Sequence, residues 1–203
     1  MKVNPPTRRT QAERTAATRA ALLAAARELF STRGFVEVST QAIVEAAGVT
    51  RGALYHQFAD KTELFAAVYE EVEAELVTEI ATRIAGAAPA DHLAAMRTGA
   101  HLFLDLCAAP DVQRIVLVDA PSVLGWDRWR AVGVKYGLGV IEAMLGQAVA
   151  DGAIPEQPLR PTAHILLGAL DEAALYVSRA EDQQRAKEEM YAVCDRIIGA
   201  IAG

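Results

Sequence analysis

The chain has 203 residues, 52% of them hydrophobic and 23% charged, with a net charge of −6 at neutral pH and two cysteines. That length suits one large helical domain, or a small domain joined to a larger one, and either can bury a real core. High alanine and leucine content favours helices, no turn-bounded valine-rich alternation announces a sheet, and no run of about 18 apolar residues offers a membrane span.

Met1 to Thr15 is basic and polar without an apolar core, so it does not read as a secretory leader. Cys107 and Cys194 fall on separate predicted helices, and reduced thiols are the expected state. A cytoplasmic chain with no membrane partner is expected. The charge is unevenly divided. Residues 1–60 hold eight Lys and Arg against five acids, a surplus of +3, and the other 143 residues carry −9. A basic head on an acidic body suits a protein that brings only one end to nucleic acid, because the acidic part opposes wrong-way docking.

Residues 1–10, with Pro5, Pro6, Arg8 and Arg9, read either as a basic arm reaching DNA or as a tail without a role. From Gln11 to Arg33, the residues Leu22, Leu23, Ala26, Leu29 and Phe30 form one apolar stripe, and Gly34 ends the helix. Ser39 is a good N-cap for a compact helix to Ala47, with Ala42, Ile43, Ala46 and Ala47 at helical spacing. Gly48 supplies the left-handed exit. Thr50 then caps a second short helix ending near Phe58, anchored by Leu54 and Phe58 four residues apart. A helix, a tight glycine turn and a second short helix is the spacing of a helix-turn-helix.

The second helix presents a surface suited to DNA. Arg51 carries a guanidinium fork that fits guanine O6 and N7, or a phosphate. Gly52 and Ala53 leave the backbone close to a groove. Thr40, Thr50, Tyr55 and His56 can donate to phosphates, which sets register without reading sequence. Asp60 to Glu63 forms a capping box for the next helix and places Lys61 at an anion-friendly helix start.

At these residues the chain resembles the TetR (tetracycline-repressor) family of transcriptional regulators. The resemblance rests on Ala47-Gly48-Val49-Thr50-Arg51-Gly52-Ala53-Leu54-Tyr55, followed by Phe58, Lys61 and Leu64, and covers about the first third of the chain. Gln57 departs from the pattern, where many members carry histidine. The resemblance implies an all-helical, homodimeric, ligand-controlled DNA-binding protein, usually a repressor.

Lys61 to Ala85 is a long helix with Leu64, Phe65, Val68, Tyr69, Val72, Leu76, Ile80 and Ile84 on one side, and with Glu70, Glu71, Glu73, Glu75 and Glu79 read as a solvated face. It is the natural lever between the head and the body. After a break from Gly86 to Ala90, Asp91 caps a helix to about Ala108. A short apolar helix, Asp111 to Val118, follows Pro110, and Ala120-Pro121-Ser122 reads as a corner. Gly125 to Ala150 reads as a longer helix whose four glycines mark a bend or close helix approach. Pro161 opens a helix to about Ala180, and the last helix runs from about Asp182 to Ile201 with Met190, Val193, Ile197 and Ile201 on its stripe. Surplus apolar surface on these last two helices predicts pairing with their copies in a second subunit.

The expected architecture is therefore all-α, with an N-terminal three-helix helix-turn-helix head over residues 1–60 and a larger C-terminal helical ligand-binding and dimerisation bundle over residues 61–203. In the body, Phe103, Trp126, Trp129, Tyr136 and His164 are the candidates to line a pocket for a small apolar effector. His92, His101 and His164 show no metal-ligand spacing, and no nucleophile elbow, phosphate loop or dinucleotide fingerprint is present. Neither metal, cofactor nor catalysis is expected. The reading is a DNA-binding regulator that recognises a palindromic operator as a homodimer and is released by a small molecule. A small apolar-ligand carrier with a vestigial head is the alternative.

Overall fold

The structure is a computed structural model that describes residues 10–201. The basic-arm reading falls almost wholly outside the described residues. No strand occurs among the described residues, and the chain forms two compact units divided between Val68 and Tyr69.

In the first unit, α1 (Gln11–Arg33) starts at a reciprocal capping box in which Thr10 and Glu13 satisfy each other's backbone amides. It buries Leu22, Leu23, Ala26 and Phe30 along one face. Gly34 ends it at φ 81°, a backbone region that side chains with a Cβ rarely occupy. Two short helices follow, α2 (Thr40–Ala47) and α3 (Arg51–Gln57), each capped as the sequence indicates. Ser39 Oγ accepts the Ala42 amide at 3.1 Å and Thr50 Oγ1 accepts the Ala53 amide at 3.2 Å. Between them Gly48 adopts φ 65°, ψ 31°, the left-handed exit that makes the turn sharp.

The head core is built on three phenylalanines. The Phe30 and Phe35 rings both meet Phe65 edge-on at 5.2 Å, and Phe65 lies in the first turns of α4 (Lys61–Ala87). Leu54 and Phe58 are buried and fix α3 to this core. Each such burial contributes about 1.5–3 kcal/mol, more than the roughly 1 kcal/mol that Gly52 costs the helix. A seven-residue helix that would not persist alone is thereby held in place.

The second unit holds the remainder of α4 with α5 (His92–Cys107), α6 (Pro110–Val112), α7 (Ala120–Leu124), α8 (Trp126–Gly133), α9 (Gly139–Ala150), α10 (Leu159–Arg179) and α11 (Gln183–Ala200). Wider turns of π type span Gln113–Asp119 and Val134–Leu138. Helix α5 packs against α9, α10 and α11. Tyr69 ties α4 into this core, its hydroxyl donating to the Trp129 carbonyl at 3.1 Å, and Trp129 Nε1 donates onward to the Val116 carbonyl at 2.9 Å.

Two boundaries differ from the sequence reading, and one expected helix gains detail. Pro121 makes no corner, because the widened π-type turns before it carry the helical backbone through to Leu124 without a break; the chain turns instead at Gly125, φ 76°. The helix expected over the glycine-bearing stretch after Gly125 runs without a break from Trp126 to Ala150, its turns widening to π type over Val134–Leu138. Gly86 does not stop α4, which continues to Ala87 and leaves through Ala88 at φ 45°.

Candidate functional site

The exposed face of α3 gathers most of the head residues singled out above. Arg51, Gly52, Tyr55 and His56 are exposed, as is Thr50 at the cap, while Ala53 is half-buried. Arg51 Nη2 lies 3.5 Å from the Tyr55 hydroxyl, and its guanidinium sits 5.7 Å from the centre of the Tyr55 ring. Hydrogen bonds from Arg51 and then from Thr40 hold the Tyr55 hydroxyl below the ordinary phenol pKa. Thr40, at the start of α2, thus stands with Arg51 and Tyr55 in one polar cluster.

Gly52 is open. A Cβ placed on it would meet only Thr50 Oγ1, at 3.9 Å. Nothing within the head requires a glycine there.

Lys61 is arranged differently from its neighbours. Its Nζ donates to the Phe35 carbonyl at 2.8 Å and the Val38 carbonyl at 2.9 Å, and lies 4.1 Å from the centre of the Phe35 ring. Partial burial lowers the pKa of the ammonium. Two of its three N–H groups are turned inward to close the loop after α1, which leaves one for an external anion.

The body contains an apolar cavity of about 120 Å³, lined from α4, α5, α9, α10, α11 and the turn before α9. Val77, Ile80, Met96, Phe103, Ile141 and Leu170 typify its walls. Two acidic residues, Glu73 and Asp171, also line it. Burial raises the Glu73 carboxyl to about 7 and that of Asp171 to about 6, the latter against the opposing pull of Arg130, with which Asp171 forms an ion pair.

Residues 22–68 match the family described as bacterial regulatory proteins, tetR family, and residues 93–201 match the tetracyclin repressor-like C-terminal domain. The chain belongs to the TetR family of transcriptional regulators. A solved TetR-family transcriptional regulator from Pectobacterium atrosepticum is 31% identical and superimposes with a TM-score of 0.82, over 96% of this chain and 98% of that one. The HTH-type transcriptional regulator CymR of Pseudomonas putida is 33% identical over 121 residues, which span 59% of this chain and 60% of CymR. The Tn10 TetC protein of Escherichia coli is 22% identical over 90% of this chain and 91% of its own length.

Within this TetR-family regulator, the five body residues anticipated as pocket-lining do not come together. Phe103 lines the cavity, and the other four do not. Trp129 is a core residue, 3% exposed, and its indole N–H is already taken by Val116. Trp126 is 61% exposed and leans on Trp129 with ring centres 4.9 Å apart. Tyr136 donates to Glu70 at 3.3 Å, and His164 is exposed on α10. His101 pairs with Asp195 at 3.0 Å and stacks on Tyr191.

Glu73 was missed and its assignment to a solvated face is overturned, for it is 7% exposed. Its register carried the signal. Position 73 lies four residues after Tyr69 and three before Leu76, on the same side of the helix as the apolar stripe, so a carboxyl there turns inward with it. Asp171 had a weaker signal, the first of two adjacent acids after the apolar run Ile165 to Leu170, and its partner Arg130 is remote in sequence.

Among the described residues no helix is long and apolar enough to cross a membrane, and no group of three His, Cys, Asp or Glu side chains is arranged to hold a metal.

Proposed function

We propose that this regulator is a repressor that binds a near-palindromic operator as a homodimer and is released when a small, mainly apolar effector occupies the body cavity. Residues 1–60 act as the DNA-binding part and residues 61–203 as the effector-binding and dimerisation part. The observation that carries the DNA-reading half is the exposed surface of α3, in which the bare backbone at Gly52 is flanked by the Thr40, Arg51 and Tyr55 cluster. Arg51, Gly52 and Ala53 lie closest to base edges. Thr40, Thr50, Tyr55 and His56 hold phosphates, and Lys61 contributes its remaining N–H to a phosphate while bracing the head.

The dimer forms through α10 and α11. Ile165 and Tyr176 on α10 are 72% and 48% exposed, Ile197 on α11 is 37% exposed, and Met190, Val193 and Ile201 beside it are half-buried, more apolar surface than a free helix pair normally presents to water. Two copies then offer their α3 helices to successive major grooves roughly 34–36 Å apart. Helix α4 carries the effect of the ligand. Leu64, Phe65 and Val68 in its first turns are buried in the head, while Val77, Ile80 and Ile84 line the cavity. An effector that binds the DNA-released arrangement more tightly shifts the population toward it.

A gel shift with the DNA upstream of its own operon, repeated across salt concentrations, tests this reading. The expected result is a saturable complex whose affinity falls steeply with salt, since phosphate contacts displace counterions. A carrier with a vestigial head would form no such complex.

A further inference from the structure

The cavity walls are apolar, but its floor is not. Glu73 is 7% exposed, and the groups that face it are Tyr69 on its own helix and Asp171 on α10, with Cys107 on α5 in the same electrostatic neighbourhood. None of these is a cation. Arg130, the cation nearest this cluster, is held by the Asp171 carboxylate. Tyr69 meets only part of Glu73's need: its hydroxyl, which also donates to the Trp129 carbonyl at 3.1 Å, favours the charged carboxylate but does not outweigh the burial that raises its pKa. Glu73 is thus a buried acid at the edge of an unfilled cavity, with spare acceptor capacity and no positive partner.

We propose that the cavity takes a single-ring molecule bearing one hydrogen-bond-donating head, a hydroxyl or an ammonium, seated on the Glu73 carboxyl, and that it rejects molecules carrying a carboxylate. A single ring is of a size with the cavity's 120 Å³, since an apolar cavity on the order of 150 Å³ accepts benzene. The head follows from charge. A carboxylate seated there would be a desolvated charge with no free cation to meet it, because Arg130 is already held by Asp171, and it would face a repelling charge whenever Glu73 ionises. A hydroxyl donates to Glu73 directly, and an ammonium supplies the missing cation, pairing with ionised Glu73 and releasing the carboxyl's proton to solvent. Burial keeps that proton on Glu73 up to about pH 7 when the cavity is empty, so proton release separates the two heads. This assignment rests on the effector reading above and names the chemical class of that effector.

The test is calorimetric titration of the full-length protein with toluene, benzyl alcohol, benzylammonium and benzoate at pH 6.5, in two buffers of different ionisation heat. The operator complex is titrated in parallel for DNA release. Benzyl alcohol and benzylammonium should bind, benzoate should bind at least about tenfold more weakly, and only benzylammonium should release a proton. In Glu73→Gln, nearly the same shape without the charge, benzylammonium should weaken by about tenfold or more and the proton signal should vanish, while benzyl alcohol stays within about threefold. Benzoate binding as tightly as the alcohol, an unchanged ranking in Glu73→Gln, or no binding by any of the four overturns the proposal. Binding without head preference but with DNA release refutes the class and spares the effector reading. The expected preference without DNA release does the reverse.

Discussion

Gly52→Ala separates what the head needs to fold from what it needs to meet DNA. An added Cβ would meet nothing nearer than Thr50 Oγ1 at 3.9 Å, an ordinary van der Waals contact, and Gly52 has the backbone conformation of the helix it belongs to. Within the protein the substitution is therefore free of strain. Alanine is a better helix former than glycine by about 1 kcal/mol in a helix interior, and about half of that is reasonable for a position in the first turn. With a melting-temperature response of about 2–4 °C per kcal/mol for a chain of this size, the variant should melt roughly 1–2 °C higher than the parent. DNA affinity should move the other way. If the backbone at Gly52 lies against the groove, a methyl group there displaces α3 and the contacts of Arg51 and Tyr55 with it, and operator affinity should fall by about tenfold or more, comparable to losing one good base contact. Differential scanning fluorimetry and fluorescence anisotropy on a labelled duplex measure the two effects. Unchanged affinity in a variant of equal or higher stability would refute the placement of Gly52 at the DNA surface.

Other residues divide by role. Arg51→Ala should weaken binding by about 1–3 kcal/mol and relax preference at one operator position, as competition with single-base operator variants would report; a uniform loss across all sequences would mean that Arg51 meets only phosphate. Lys61→Met keeps the length of the side chain but removes the bonds to the Phe35 and Val38 carbonyls, so the urea midpoint should drop by the equivalent of about 2–3 kcal/mol, and an unchanged midpoint would show that those bonds add nothing. Glu73 makes stability depend on pH in the less common direction. Its carboxyl titrates near 7 when folded against an ordinary 4.5, so the folded state binds the extra proton between those values, and stability is full below about pH 4.5 and lost as pH rises through 7. The Glu73 share of the loss is roughly 3 kcal/mol, which Glu73→Gln should remove, flattening denaturation midpoints between pH 6 and 8, above the range in which Asp171, raised to about 6, keeps its own slope; parallel profiles for the two proteins would contradict it.

Local chemistry made the head legible. Ser39 and Thr50 are caps, Gly34 and Gly48 are the exits, and Leu54 with Phe58 is the anchor, each decided within four residues of its own position. The body was legible in its helices but not in its cavity. Large side chains with polar tips suggested a pocket, yet Trp129 spends its N–H on Val116 and fills core, a pairing across thirteen residues that no periodicity displays. Three glycines line the cavity: a Cβ on Gly133 would meet nothing within 4 Å, while at Gly99 and Gly137 the Ile84 and Leu167 side chains come within 3.1 and 3.3 Å of where a Cβ would stand. Such a space depends on which helices are neighbours, and the order of residues along one helix does not carry it. Lys61 shows the same limit, since a capped helix start announced an anion site and the fold turned the ammonium toward two carbonyls more than twenty residues earlier.

Selection of bound duplexes from random DNA by the full-length protein tests the central claim most directly. The account predicts enrichment of an inverted repeat whose half-sites are one helical turn apart, or a whole number of turns, centre to centre, with enrichment lost when Arg51 or Gly52 is substituted. Recovery of sequences no different from the starting pool, with the small molecules of the cavity test absent, would contradict it.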